Sequence, residues 1–190
     1  MNRRHALRHI ALISGGLALI PSCDFSKEDI LAAYENLKIT ATQKALLAAI
    51  SDSIIPAGEI KGALDLAVPD FILVMVNDCF TKENQEKFTA GLEAFPEYAE
   101  KTAGKKFADL SSKEKETLLV QGLALTGDEN PEGTALAQLG YFLSSTKRFT
   151  IQGYMVSEYI QTEIIPYSLI PGEYNGAVLI SDLQKTRVNG

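Results

Sequence analysis

The chain has 190 residues, 46% of them hydrophobic and 22% charged, with 24 acidic against 18 basic side chains and a net charge of −6. Both histidines, His5 and His9, and three arginines, Arg3, Arg4 and Arg8, stand in the first 22 positions; beyond them 15 basic residues face 24 acidic ones, a net charge of −9. So acidic a balance offers no basic patch for nucleic acid, and a chain without histidine past residue 22 builds no Ser/His/Asp or Cys/His relay and no histidine-based metal or haem site.

The first element is a targeting segment. A basic head, Asn2 to Arg8, precedes an apolar run from Ile10 to Ile20 and then Ile20-Pro21-Ser22-Cys23. Eleven helical residues reach about 16 Å, half of the roughly 30 Å hydrocarbon core, so the run is a signal core and not a spanning helix. Residues 1–22 therefore read as a signal peptide. Arg3-Arg4, with Leu7 and Arg8 following, resembles a twin-arginine export motif, although Asn2 and Ala6 stand where Ser or Thr and Phe are usual. Cys23, behind an aliphatic and a small residue, reads as the lipidated first residue of the mature chain. The expected location is the periplasmic side of a bacterial membrane, lipid-anchored.

Residues 23–39 form a polar-rich, lipid-anchored lead-in, and residues 40–190 the domain. Thr40-Ala41-Thr42-Gln43 reads as a capping box, with Leu46, Ile50 and Ile54 lining one face until Pro56 stops the helix. Pro56 to Leu66 is turn-rich. Pro69 suits the first turn of a helix whose Phe71–Val76 run has almost no polar face and is expected at the bundle centre. Cys79, inside the apolar stretch Phe71–Phe80, reads as a buried thiol. Phe88, Leu92, Phe95 and Ala99 give a further stripe, which Pro96 is expected to kink or end.

Ser111-Ser112-Lys113-Glu114 opens a helix carrying Leu118, Leu119 and Leu123. Asn130-Pro131 is expected to open another with Leu136, Leu139 and Leu143, and a separate helix is expected over 146–163. After it the chain is punctuated by Pro166, Pro171, Gly172 and Gly176. The 3.6-residue period without strand-like alternation predicts an all-α fold: a single-domain helical bundle with an irregular Pro/Gly-punctuated C-terminal segment. No Gly-rich phosphate loop follows a strand pattern, and most carboxylates share polar faces with lysines.

Five of seven tyrosines, Tyr141, Tyr154, Tyr159, Tyr167 and Tyr174, fall in the last third. An apolar ring with a polar tip suits either a surface buried against another protein or the closed end of the bundle.

Taken in order, Ile54-Ile55-Pro56-Ala57, Gly62-Ala63, Val68-Pro69-Asp70-Phe71-Ile72, Gly153-Tyr154, Ser157-Glu158 and Ile170-Pro171-Gly172-Glu173-Tyr174 resemble the small subunit, subunit 3, of gluconate 2-dehydrogenase over roughly residues 40–176. Lys61 stands where that family commonly has Pro. The resemblance implies a non-catalytic subunit that binds, stabilises and escorts for export an FAD-dependent dehydrogenase of the glucose–methanol–choline class, acting on a sugar or sugar acid. FAD would sit in that flavoprotein and haem in a cytochrome c subunit, with no cofactor, metal or catalytic residue in this chain. Tyrosine placement and the family-like residues together nominate Tyr154, Ser157, Glu158, Tyr159, Tyr167, Pro171, Gly172 and Tyr174 as the docking surface. The alternatives are an independent periplasmic enzyme using carboxylates, or a lipid-anchored binding protein without a dehydrogenase partner.

Overall fold

A computed structural model of the chain describes residues 31–126 and 133–165, with 177 and 179 as isolated positions. The signal segment with Arg3 and Arg4, Cys23, and the docking candidates Tyr167, Pro171, Gly172 and Tyr174 lie outside the described residues. The fold is all-α. Among the described residues, five α-helices make up its body: α1 Ala41–Ile54, α2 Val68–Cys79, α3 Lys82–Ala103, α4 Ser112–Leu123 and α5 Ala135–Met155. Short 3₁₀ turns cover Ala32–Tyr34, Phe107–Asp109 and Ala124–Thr126, and a π turn covers Ile160–Ile164.

Local chemistry sets most helix ends. The expected capping box forms at α1: the Gln43 N–H donates to Thr40 Oγ1 at 3.2 Å and the Thr40 N–H to Gln43 Oε1 at 3.0 Å. Ser111 and Glu114 make the equivalent pair at α4. Pro56 disfavours helical geometry at Ile55 before it, and α1 stops there. At the other end of α3, Gly104 takes a left-handed φ of 71° and its N–H returns to the Glu100 carbonyl at 2.9 Å.

The core runs along one stripe of each helix. Leu47, Ile50 and Ser51 are buried on α1, Phe88, Leu92, Phe95 and Ala99 on α3, and Leu118 and Leu119 on α4. Phe88 meets Phe142 edge-on with ring centroids 5.0 Å apart, and Phe95 meets Phe107 in the same way at 5.1 Å. Tyr34, Leu37 and Ile39 join this core from the lead-in. The Leu31 N–H donates to the Ile39 carbonyl at 2.8 Å, and the Tyr34 hydroxyl to Asp70 Oδ1 at 2.7 Å.

Five expectations need correction. The central helix is α5, which packs against all four others, not α2; α2 turns Ile72, Leu73 and Val76 inward and leaves Val74 exposed. Cys79, the last residue of α2, is likewise exposed. Pro96 does not end α3, which continues for seven residues to Ala103; its ring removes one hydrogen bond, and burial of Phe95 and Ala99 on either side holds the helix together. The helix assigned to Asn130-Pro131 starts at Ala135, because Thr134 is the cap and accepts the Ala137 N–H at 3.2 Å. No break separates it from residue 146, and α5 is one helix of 21 residues ending at Met155. The expected α1 stripe holds: Leu46 and Ile54 pack against the core beside buried Ile50, and Leu47 joins it as a further fully buried residue.

Candidate functional site

Among the described residues, the segments that carry the family resemblance, 54–72 and 153–158, are far apart in sequence and meet at one end of the bundle. The loop between α1 and α2 folds back on itself: the Ala63 N–H donates to the Ile55 carbonyl at 2.9 Å and the Val68 N–H to the Ala63 carbonyl at 3.1 Å. Gly62 is required at the centre of this loop, since a Cβ there would stand 2.4 Å from the Ala57 nitrogen. Its N–H is held by Asp65 Oδ2 at 2.9 Å. Ala67, at φ 51°, turns the chain into α2 through a left-handed conformation that costs a residue other than glycine about 1 kcal/mol.

The end of α5 closes over this loop. A Cβ on Gly153 would lie 2.5 Å from Phe71 Cδ1, so the glycine lets α5 and α2 touch. Next to it, the Tyr154 hydroxyl donates to the Lys61 carbonyl at 2.7 Å. Ser157 then ties the end of α5 to the following turn: its hydroxyl donates to the Tyr154 carbonyl at 2.7 Å and accepts the Ile160 N–H at 3.4 Å. Lys61 Nζ stands 4.8 Å from the centre of the Tyr159 ring.

Between these parts lies an open recess of about 480 Å³. Lys61, Asp65 and Leu66 form one wall; Ser157, Glu158, Tyr159, Thr162 and Glu163 form the other. Of the residues nominated for docking, Tyr154 is buried with its hydroxyl committed, Ser157 and Tyr159 are half-buried, and Glu158 is exposed. The structure thus brings Ser157, Glu158 and Tyr159 to the recess and puts Tyr154 beneath it. Sequence reasoning missed Lys61, Asp65 and Glu163. The departure from the family pattern at Lys61 was their one available signal.

A second polar cluster fixes the lead-in. Asp70, in the first turn of α2, pairs with Lys44 of α1 through Oδ1 and accepts from Tyr34. These hydrogen bonds, that of Lys44 first, hold the Asp70 carboxyl below its ordinary range. Burial, with the bond to Asp70 and its negative charge adding, pushes the Tyr34 hydroxyl up to about 12. Among the described residues, no group of three or more His, Cys, Asp or Glu side chains is placed to hold a metal ion, and no helix is long and apolar enough to cross a membrane.

Compared with known families, residues 41–172 match the model of gluconate 2-dehydrogenase subunit 3. The chain belongs to the gluconate 2-dehydrogenase subunit 3 family. The matched range begins at the first residue of α1 and takes in the whole helical body, the α1–α2 loop and the recess. The family is that of an accessory subunit in a dehydrogenase complex. No curated protein and no solved structure gives a match.

Proposed function

We propose that this subunit 3 family member is a non-catalytic escort: it binds and stabilises a periplasmic FAD-dependent dehydrogenase of the glucose–methanol–choline class, acting on a sugar or sugar acid, and carries it through export. The observation that carries the reading is the family match over the helical body. The twin-arginine-like head Arg3-Arg4 supports it, because that route moves folded proteins and so admits a complex assembled beforehand. Cys23 then supplies a lipid anchor on the periplasmic side, and electrons from the flavin pass to a cytochrome c subunit. The absence of histidine past His9 agrees with a chain that leaves proton and hydride chemistry to its partner.

The test is co-export. With Arg3 and Arg4 both changed to Lys, this chain and the flavoprotein remain together in the cytoplasm. Periplasmic flavoprotein in the presence of that double variant contradicts the escort role.

A further inference from the structure

The recess at the α5 end has an unbalanced charge and an apolar surround. Asp65, Glu158 and Glu163 contribute three carboxylates against the single ammonium of Lys61. Asp65 already holds the Gly62 N–H, and Lys61 is drawn over the Tyr159 ring. Among the described residues, neither Glu158 nor Glu163 has an ion-pair partner.

The surround is equally uneven. Of eleven exposed large apolar side chains among the described residues, six lie within two positions of a recess-lining residue along the chain. Ile60 and Leu64 flank the Lys61–Asp65 wall, Met155 and Val156 precede Ser157, and Ile164 and Ile165 follow Glu163. Apolar exposure gathered along the two segments that wall a recess is a mark of an interaction surface. Its negative centre excludes an acidic or purely apolar occupant, since a carboxylate covered without a counter-charge loses its hydration uncompensated.

We propose that this recess is the docking point for the dehydrogenase subunit, and that it receives one lysine or arginine presented within an apolar segment of that subunit. The basic group sits between Glu158 and Glu163, and the flanking apolar residues cover Met155, Val156, Ile164 and Ile60. This rests on the escort reading above and adds to it the place and the chemistry of contact. Complementary charge of this sort governs encounter rate and partner choice more than total affinity.

The experiment uses the full-length tagged chain purified from its own host together with the dehydrogenase subunit. A zero-length carbodiimide cross-linker joins carboxylates to amines, and peptide mass spectrometry locates the joins. Glu158→Gln/Glu163→Gln, which removes charge from exposed positions without disturbing the core, is compared for binding at low and high salt. The expected result is weakening of about tenfold at about 0.05 M NaCl that shrinks towards parity at about 0.5 M. Cross-links from Glu158 or Glu163 to a lysine of the dehydrogenase subunit are the matching structural outcome.

Equal binding of variant and parent at both salt concentrations overturns the proposal. Cross-links from these glutamates only to Lys185 of the same chain, or to a second copy in an isotope-mixed sample, overturn it too. In those cases the dehydrogenase subunit is still present and the escort role stands. If no dehydrogenase subunit accompanies the chain, both fall.

Discussion

The hydroxyl of Tyr154 and the carbonyl of Lys61, 93 residues apart, are joined by a 2.7 Å hydrogen bond that locks the end of α5 onto the α1–α2 loop. Tyr154 is therefore a fold determinant at the base of the recess. Tyr154→Phe keeps the ring and strands the Lys61 carbonyl, which is expected to cost about 1 kcal/mol. For a domain of this size that is a fall of about 2–4 °C in melting temperature. An unchanged melting curve, measured by circular dichroism, contradicts the clasp.

Two glycines set how closely α5 approaches its neighbours. A Cβ on Gly91 would meet the Gln138 carbonyl oxygen at 2.3 Å, whereas one on Gly153 would meet the Phe71 ring at 2.5 Å. A ring swings aside more readily than a helix backbone. Gly91→Ala is accordingly expected to destabilise more than Gly153→Ala, within the roughly 1–3 kcal/mol range of overpacked cores. Urea denaturation of both variants checks the order, and the reverse ranking contradicts it.

The Lys44–Asp70–Tyr34 cluster gives stability a dependence on pH at both ends. The Asp70 carboxyl is lowered in the folded state, so its contribution is present above the ordinary carboxylate range and is lost as pH falls through the lowered value. Tyr34 is raised, so its contribution is intact below 10 and is lost as pH rises towards about 12. Asp70→Asn is expected to flatten the acid limb and Tyr34→Phe the alkaline one. Melting temperature scanned against pH separates the two, and limbs unchanged in both variants contradict the assignment.

Reading from sequence worked where the determinant was local. The Thr40 and Ser111 capping boxes lie within three residues of their partners, and the α3 stripe through Phe88 and Ala99 repeats at helical spacing, so both were visible in the letters alone. A separate helix was expected to begin at Thr146, beside Ser144 and Ser145. Inside α5, however, Ser145 and Thr146 are buried small side chains facing other helices, and no glycine or proline interrupts the backbone there. Leu46 was placed on the α1 stripe and packs there, but Leu47, one position and a 100° turn further on, is the more deeply buried and was not singled out, because periodicity in a leucine- and alanine-rich segment resolves neighbouring positions poorly. The recess was least visible of all. Its walls come from segments nearly a hundred residues apart, and Lys61 showed only as a departure from the family pattern.

Cys79 is exposed, against the expectation from its apolar surroundings in sequence. If Cys23 carries lipid, Cys79 is the one free thiol of the mature chain. Folded, membrane-extracted protein is expected to react with one equivalent of a thiol reagent without denaturant, and Cys79→Ser to abolish the reaction. Two reactive equivalents in the parent protein would show that Cys23 is unmodified.

The escort role is tested most directly by purifying the tagged full-length chain from its host's membranes under mild detergent and recording a flavin absorbance scan with a subunit gel. The account predicts a larger polypeptide in equal amount, carrying the flavin, with the absorbance leaving this chain when that polypeptide is stripped away. Flavin retained by this chain alone, or a chain recovered without any flavoprotein while the membranes still contain one, would contradict it.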